Sequence, residues 1–532
     1  MRLALAVLLA IAAVAAPACD DGDPPRAPDA ARSATAAAPV ADSNVFARDY
    51  VGPARCGDCH ADQYARWQRS LHRTMNARAD EPGAVIGDFD DATLAYRGRD
   101  ARFTRDARGF AMTLAGTTYR VTRTIGRRGL QEYVGVRDGD PTATEVRLPF
   151  GWWPRLGGWF PQPYYDPWLG DEARFDAFAP PAEPWATRCP WCHSTYPFAQ
   201  RVARFDALGV GHGPESRAPL QLAGGSDRLD VSQQVTTGIS CESCHLGGRA
   251  HATGAGPIRF TPLGTAKFAD ERRDARIVNA TCAQCHSGPS PRLVDGTALR
   301  NSSEALDLAA SPCTTARCTD CHDPHAGDAQ GPALPDRAAP ADNGAQLAAR
   351  AIAACTRCHD RLADPDTARA HAGGHGPAVA SCLDCHMPRV VMGLDHMIRT
   401  HRISSPTDAR ILGDAGPNAC NACHLDQSVA WTARSLSVPL PRTARDLDAP
   451  AGETWLADAR PALRVFAAAA YARRPALARA ELPALARGLT DSLAYVRAWT
   501  LLSLDALAGK PLDYDVRAPS AAAAQRLLQQ LQ

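Results

Sequence analysis

The chain has 532 residues, a nearly balanced formal net charge of +1, and 18 cysteines. Of its 58 basic residues only Lys267 and Lys510 are lysines, and no basic cluster indicates nucleic-acid binding. Beyond the N-terminus no apolar run is long enough to cross a membrane. Composition therefore excludes a nucleic-acid partner and a multispanning membrane protein.

Residues 1–18 predict a signal peptide. Met1 and Arg2 form a short positive start, the apolar run at 3–16 is too short to span a bilayer, and an Ala-Pro-Ala cleavage sequence ends at Ala18. Cys19 follows directly and resembles a bacterial lipoprotein acceptor, so a lipid anchor there stays open. Residues 19–49 predict a flexible tether. The expected location is the periplasm or the outer face of the cell envelope.

Sixteen of the cysteines fall into eight Cys-x-x-Cys-His motifs. A Cys-x-x-Cys pair alone is compatible with a zinc half-site, a thioredoxin-like redox pair or a haem anchor, and the histidine after every second cysteine favours covalent haem attachment. The sequence therefore predicts eight covalently bound haem c groups. We number the motifs 1 to 8 in chain order; their cysteine pairs are Cys56/Cys59, Cys189/Cys192, Cys241/Cys244, Cys282/Cys285, Cys318/Cys321, Cys355/Cys358, Cys382/Cys385 and Cys420/Cys423.

The segments before motif 2 differ in pattern. Residues 50–83 hold motif 1 and a helical pattern marked by Tyr64, Trp67 and Leu71, and residues 84–150 alternate like strands and predict a β-rich insertion. Residues 151–188 form an aromatic connector, which either lines a pocket or, as we favour, packs over haem faces. Its aromatic residues are Trp152, Trp153, Trp159, Phe160, Tyr164, Tyr165 and Trp168.

From motif 2 onwards the motifs follow one another every 27 to 52 residues, so residues 189–432 predict a seven-haem core. Segments this short cannot build an ordinary core of side chains. We therefore expect the haems to form the interior and to lie close together. Residues 433–532 predict a helical, HEAT-like tail, with one helix starting at Asp491 and ending at Gly509. The expected fold is a multihaem cytochrome of short helices and loops with a β-rich insertion and a helical tail.

The number of histidines outside the motifs equals the number of predicted haems. Each motif histidine is expected to bind iron from one side, which leaves one axial position per haem. The motif histidines are His60, His193, His245, His286, His322, His359, His386 and His424. The remaining eight are His72, His212, His251, His325, His371, His375, His396 and His401, with Met75, Met387, Met392 and Met397 as alternatives. Mostly bis-histidine ligation predicts low reduction potentials.

Two further residue classes accompany the motifs. Arginine suits bidentate pairing with haem propionates, although the composition of an Ala- and Arg-rich genome accounts for most of the excess. Cys313 lies outside every motif. A buried thiol is our prediction for it, and a disulfide with Cys19 is the alternative.

From about Tyr50 to Trp431 the chain resembles a family of periplasmic octahaem c-type cytochromes with a TPR- or HEAT-like helical tail, related to the c-552 and c-554-type multihaem cytochromes. Motif 1 with Trp67 and His72, the Cys-His-Asp-Pro-His run at 321–325 and the Asp-His pair at 395–396 carry the resemblance, together with Cys241-Glu-Ser-Cys-His245 and Cys382-Leu-Asp-Cys-His-Met-Pro388. The resemblance implies axial roles for six histidines: His72, His251, His325, His371, His375 and His396. His212 and His401 come from the histidine count alone.

Three hypotheses follow. The first is an electron-transfer protein that serves redox partners, such as quinol-linked proteins or other cytochromes. The second is an octahaem oxidoreductase for a small nitrogen or sulfur oxyanion at one open-coordination haem, with Lys267, Tyr133 or Tyr165 flanking the site. The third is a scaffold whose tail docks a partner. The oligomeric state stays open.

Overall fold

The computed structural model describes residues 43–166, 172–201, 229–263, 273–325, 344–376, 379–440 and 445–532. Within these ranges no helix is both long enough and apolar enough to span a bilayer. The predictions for the signal peptide, Cys19, Trp168, His212 and Lys267, and for most of the tether, fall outside the described residues.

An antiparallel sheet of seven strands fills the predicted β-rich region. Six strands follow one another in the order β2-β3-β4-β5-β6-β7, and β1 pairs with the end of β5, where Asn76 lies opposite Ile125. A bulge between Val121 and Arg123 interrupts the pairing of β5 with β6. The strands are β1 Asn76–Arg78, β2 Ala92–Tyr96, β3 Arg99–Asp106, β4 Gly109–Leu114, β5 Thr117–Ile125, β6 Glu132–Arg137 and β7 Glu145–Arg147.

The aromatic connector packs against one face of this sheet. Strands β8 Phe150–Trp153 and β9 Gly158–Pro161 form a hairpin. The ring of Trp159 stacks on Phe103 of β3, with centroids 3.8 Å apart and planes 4° apart. Alternation along β3 buries Ala101 and Phe103 and exposes Arg102 between them, as expected for a half-buried strand. The aromatic connector is therefore core material of the sheet domain.

Short helices and loops make up the region that carries the motifs. A small hairpin of β10 Val391–Met392 and β11 Met397–Ile398 is its only strand pairing between motifs 7 and 8 in the described ranges. The helices are α1 Pro53–Gly57, α2 Ala61–Gln68, α3 Leu71–Thr74, α4 Trp185–Arg188, α5 Pro190–His193, α6 Cys241–Cys244, α7 Arg249–Ala252, α8 Ala275–Ala283, α9 Glu304–Ala309, α10 Cys318–Cys321, α11 Gly344–Thr356, α12 Pro365–His371, α13 Cys382–His386, α14 Ala409–Gly413 and α15 Val429–Ser435.

The helical pattern predicted after motif 1 is interrupted. Helix α2 ends at Gln68, and the Ser70 hydroxyl accepts a hydrogen bond from the Arg73 N–H to start α3. Leu71 accordingly belongs to the second helix and is 43% exposed, whereas Trp67 is buried. A serine N-cap in the middle of a periodic pattern breaks it, because its side chain satisfies the first free N–H groups of a new helix.

The tail consists of six α-helices within residues 445–532. Helix α20 ends at Gly509, whose φ of +64° is the left-handed conformation typical of a C-terminal glycine, as the sequence predicted. Asp491 does not cap α20 directly; its carboxylate accepts the Leu493 N–H, and the helix begins at Ala494. The helices are α16 Ala451–Leu456, α17 Pro461–Ala472, α18 Pro475–Ala480, α19 Leu482–Arg487, α20 Ala494–Ala508 and α21 Ala521–Leu531.

The tail shares one hydrophobic core with the sheet, the aromatic connector and the segment around motif 8. Arg497 of α20 is 4% exposed and donates to the Tyr164 hydroxyl and to Glu172, each at 3.1 Å. Near motif 8, the indole N–H of Trp455 donates to the Ala415 carbonyl at 2.7 Å. These contacts make the tail an integral part of the molecule.

Candidate haem centres

Each motif forms a single helical turn. The histidine N–H donates to the carbonyl of the first cysteine, at 2.9 Å in motif 1, 2.8 Å in motif 3 and 2.9 Å in motif 8. In such a turn positions i, i+3 and i+4 share one face, so both thiols and the imidazole point to the same side. In motif 7 Asp384 closes a capping box with Ser381, which explains an acidic residue between the two cysteines.

Three of the predicted haem-attaching cysteines are not covered by polypeptide. The second cysteines of motifs 1, 6 and 8 are exposed, whereas the other motif cysteines are partly buried. The exposed cysteines are Cys59, Cys358 and Cys423.

The surroundings of Cys59 and Cys358 give the physical reason for this exposure. Residues 61–63 after motif 1 and residues 357–361 around the end of motif 6 are exposed, so both turns lie at the protein surface. Covalent attachment at these two thiols and the packing of haems as the interior both stay predictions.

Five motif histidines face a histidine from outside the motifs. Ring centroids are 6.0 to 6.2 Å apart in every case: His60 with His251, His245 with His325, His322 with His401, His386 with His371, and His424 with His375. With metal–imidazole bonds of about 2.0–2.1 Å and about 1.1 Å from each nitrogen to its ring centre, one metal between two imidazoles separates the centroids by about 6 Å. The pairs therefore have the spacing of bis-histidine ligation.

His72 lies near His286 of motif 4. Burial and, after it, the nearby His286 lower the pKa of His72 to about 4. His193 lies edge-on to Trp185 at 6.4 Å. Within the described ranges no second imidazole faces His359, and His396 faces no motif histidine. The histidine count alone had suggested His401 as an axial ligand, and the structure places it opposite a motif histidine. The resemblance had implied His396 as an axial ligand, and the structure does not place it opposite one.

Several of these imidazoles are held through Nδ1, which leaves Nε2 for a metal. Nδ1 of His386 lies 2.8 Å from the Ser404 carbonyl, Nδ1 of His375 lies 2.7 Å from the Ala372 carbonyl, and Nδ1 of His251 lies 3.1 Å from the Gly256 carbonyl. Metal-binding histidines are typically oriented by such a bond from the other ring nitrogen.

At two further histidines the partner of Nδ1 is a carboxylate instead of a backbone carbonyl. Nδ1 of His286 lies 3.1 Å from Glu304, and Nδ1 of His396 lies 2.7 Å from Asp395. Burial lowers the pKa of His286, but the hydrogen bond and charge of Glu304 outweigh it, so the net shift is upward. Neither carboxylate was singled out from the sequence for this role; an acidic residue directly before a histidine, as in Asp395-His396, is the only sequence feature that could have pointed to one of them.

The motif histidine His286 lies in a cleft. His286 is 49% exposed by surface area, yet burial is the largest influence on its pKa. A large exposed area and a strong effect of burial on the pKa occur together when a side chain has protein close on most sides and one side open. Among the described residues no three His, Cys, Asp or Glu side chains gather as a metal-ion site. Paired imidazoles beside cysteine pairs are the recurring arrangement, and these residues fit haem c.

Thiols of different motifs lie next to one another and reveal the spatial order. The Cys241 thiol is the largest influence on Cys56 and raises its pKa, which makes motifs 1 and 3 neighbours. In the same way Cys318 raises the pKa of Cys282, and Cys192 raises that of Cys285, so motif 4 adjoins motifs 5 and 2. Cys244 influences both cysteines of motif 4, which adds motif 3.

The row continues towards the tail. Burial raises the pKa of Cys355, and the thiols of Cys382 and Cys321 are the next largest causes. Motif 6 therefore lies between motifs 5 and 7. Burial raises the pKa of Cys420 to about 11, with Cys385 of motif 7 as the next cause. The motifs thus run 1-3-4-5-6-7-8, and motif 2 branches from motif 4. The sequence order alone could not supply this arrangement.

Other predicted residues occupy structural positions. The Tyr133 hydroxyl donates to Gln131 at 2.8 Å and accepts the Gly87 N–H at 3.0 Å. Tyr165 is buried, and burial raises its pKa. Met392 and Met397 are buried in the core of the small hairpin. Cys313 is half-buried and has no disulfide bond within the described residues, and it lies near Cys355 of motif 6.

Comparison with known proteins supports the same chemistry. Residues 361–437, which include His371, His375 and motifs 7 and 8, match the cytochrome c552 family. The eight motifs, the paired imidazoles and this match show a multihaem c-type cytochrome.

The crystal structure of the outer cell wall cytochrome OcwA aligns with 90% of this cytochrome and 100% of its own chain, at 16% identity and a TM-score of 0.42. That likeness is too weak to carry an argument about fold or function. No curated protein matches this cytochrome.

Proposed function

We propose that the protein is an octahaem c-type cytochrome that transfers electrons between redox partners in the periplasm or at the outer face of the cell envelope. The five motif histidines that each face a second imidazole at 6.0 to 6.2 Å carry this proposal. A haem with two imidazole ligands offers a one-electron iron couple and no free position for a substrate.

The arrangement of the motifs supports transfer over a distance. Each motif lies close enough to the next for one thiol to influence the pKa of the other, from Cys56 and Cys241 at one end to Cys385 and Cys420 at the other. Redox partners of this proposal are quinol-linked proteins or other cytochromes. The lipid anchor at Cys19 stays a prediction.

The test is to purify the exported holoprotein, count its haems by mass and pyridine haemochrome absorption, and record low-temperature electron paramagnetic resonance spectra. Eight covalent haems dominated by low-spin signals are expected. A colourless protein, or zinc at the cysteine pairs, would contradict the proposal.

A second candidate rests on motif 6. His359 has no imidazole opposite it among the described residues, so this haem is the candidate for an open axial position. An open position is what an oxidoreductase acting on a small nitrogen or sulfur oxyanion needs. A high-spin signal from one haem that disappears on adding nitrite, together with turnover of nitrite, hydroxylamine or tetrathionate, would favour this candidate over pure electron transfer.

A further inference from the structure

The motif histidine His286 has a carboxylate beside its Nδ1. Oε2 of Glu304 lies 3.1 Å from this nitrogen. At the motif histidine His386 the corresponding partner is the uncharged Ser404 carbonyl, at 2.8 Å. Of the ion pairs between described residues two involve a histidine, and only that of His286 belongs to a motif. The charge next to the ring therefore sets motif 4 apart.

The backbone around Glu304 holds its carboxylate against His286. The Ala305 N–H donates to the His286 carbonyl at 2.9 Å. Two residues further on, the Gly288 N–H donates to the Ser302 carbonyl at 2.5 Å. The Ser302 N–H also donates to Oε1 of Glu304 at 2.8 Å, so each carboxylate oxygen has its own partner. The chain after motif 4 is thus joined to the start of α9 on both sides of the contact.

No arginine pairs with the Glu304 carboxylate among the described residues. Arg300 and Arg399 line the same recess. Each of them pairs with a different carboxylate: Arg300 with one in the aromatic connector at 3.2 Å, and Arg399 with Asp384 of motif 7 at 2.8 Å. His286 is therefore the ion-pair partner of Glu304 in the part of the chain that the structure describes.

A positive charge also lies near motif 4, on its thiol side. Arg201 is 2% exposed, and its guanidinium lies 3.5 Å from Sγ of Cys285. It contacts a thiol, whereas Glu304 contacts the imidazole that is expected to bind iron. Both charges act on the same centre, and only that of Glu304 acts through a predicted ligand.

We propose that Glu304 is a positioning residue for the His286 ligand and lowers the reduction potential of the haem at motif 4. This inference rests on the proposed electron-transfer function. Reduction adds one electron, supplied by a neighbouring haem, and converts Fe(III) to Fe(II) without breaking a bond. A carboxylate that accepts the Nδ1 proton in a hydrogen bond makes the imidazole a stronger donor to the metal. It therefore favours Fe(III), the state with the greater positive charge.

The motif next in the chain is bonded directly to the helix of motif 4. Helix α8 contains Cys282, and its Asn279 side chain accepts the Cys318 N–H of motif 5 at 2.9 Å. The same side chain donates to the Ala316 carbonyl at 2.9 Å. A haem that holds its electron less tightly thus has an adjacent centre to receive it. Glu304 makes motif 4 a place that electrons cross more than one where they remain.

The test is a spectroelectrochemical redox titration of the intact holoprotein that carries Glu304→Gln. Glutamine keeps the length of the side chain and an oxygen that accepts the Nδ1 proton, but it has no charge. One midpoint should move upward by an amount that corresponds to about a tenfold change in the reduction equilibrium, or about 59 mV for one electron.

A second background assigns the shifted midpoint to motif 4. A variant with Cys282→Ala and Cys285→Ala attaches no haem there, so adding Glu304→Gln to it should move no midpoint. A shift that persists in this background would overturn the inference, because Glu304 would then act on another haem.

The matched control is Asp274→Asn. Asp274 caps α8, the helix that contains Cys282, and pairs with Arg276 at 2.7 Å instead of with an imidazole. Asparagine is an equally good cap, so the control removes a charge from the same helix and keeps its start. Its midpoints should match those of the wild type. Equal shifts in Asp274→Asn and Glu304→Gln would show a general effect of charge and overturn the role of the His286 contact.

The remaining outcomes separate this inference from the function on which it rests. Unchanged midpoints in Glu304→Gln, with eight haems attached, would overturn the inference and leave the electron-transfer proposal intact. Absence of covalent haem in the wild-type protein would overturn both. If Glu304→Gln fails to attach eight haems, the wild-type electron paramagnetic resonance spectrum decides. One haem with the narrow spread of g values of an imidazolate-like ligand supports the inference, and its absence overturns it.

Discussion

Individual side chains hold distant parts of this cytochrome together. Arg497 brings α20 to the aromatic connector through Glu172 and Tyr164, and its guanidinium also donates to the Val516 carbonyl at 2.8 Å. Glu172 in turn accepts the Tyr96 hydroxyl of β2 at 3.0 Å. One buried arginine therefore joins the tail, the connector and the sheet, and nothing in the local sequence around position 497 distinguishes it from the other arginines.

Replacing Arg497 with alanine should lower the free energy of unfolding by about 3 kcal/mol, because the Tyr164 hydroxyl loses its donor and Glu172 keeps only Arg97, at 3.8 Å, as an ion-pair partner among the described residues. Urea unfolding of the holoprotein, followed by far-ultraviolet circular dichroism, measures the change. The matched control is Arg410→Ala, which removes an arginine that is 60% exposed and paired with Asp408. Because exposed ion pairs contribute little, its effect should stay below about 1 kcal/mol. Equal effects of the two substitutions would contradict the role of Arg497.

A second residue prediction concerns two histidines, of which the resemblance favoured His396 and the structure favours His401. His401 faces His322 at 6.1 Å, whereas His396 is bonded to Asp395 and faces no motif in the described ranges. His401→Ala should convert one low-spin haem into a high-spin one in the resonance spectrum, and His396→Ala should leave the count of low-spin haems unchanged. The reverse pattern would show that the resemblance was the better guide to the ligands.

At the scale of elements, sequence periodicity and turn chemistry predicted a good part of the structure. Alternation identified the β-rich insertion, because a half-buried antiparallel sheet leaves a period of two in the sequence. The end of α20 at Gly509 was equally visible. The sequence did not predict which elements pack on one another. The buried faces of the sheet, the connector and the tail are all apolar, and an apolar face does not specify its partner.

Gly509 offers a test at this scale. Its φ of +64° disfavours any residue with a Cβ, although a Cβ there would meet no atom within 4 Å. Gly509→Ala should therefore destabilise the protein by about 1 kcal/mol through backbone strain alone. Gly256→Ala is the control, since Gly256 has equally open space and a φ outside the left-handed range. Thermal unfolding of both variants measures the difference, and a loss of stability confined to the control would refute the argument.

At the scale of the whole molecule, motif 4 is the junction of the row. Its thiols adjoin those of motifs 2, 3 and 5, so more motifs meet at motif 4 than at any other in the described row. The number of motifs was plain in the sequence. Their branching was not plain. Motif 2 adjoins motif 4 in space, although motif 3 lies between them in the sequence.

Removing this junction should slow the exchange of electrons along the row. In a variant with Cys282→Ala and Cys285→Ala, electrons delivered by pulse radiolysis should equilibrate among the haems far more slowly than in the wild type. A variant with Cys420→Ala and Cys423→Ala loses a terminal haem instead, so its remaining haems should equilibrate at the wild-type rate. Similar kinetics in the two variants would contradict the branched order.

Several second imidazoles come from chain segments distant from the motifs they lie beside, whereas His371 shortly precedes the motif of His386. His72 follows motif 1 but lies beside His286 of motif 4, and His251 follows motif 3 but faces His60 of motif 1. Synthesis proceeds from the N-terminus, so the imidazole for motif 4 exists before that motif does, whereas motif 1 must wait for residue 251. If His251 is the second ligand of motif 1, as the proposed function has it, the first centre is completed only when the third motif arrives, and a chain stalled between them would carry an N-terminal haem with one side still open to any competing ligand.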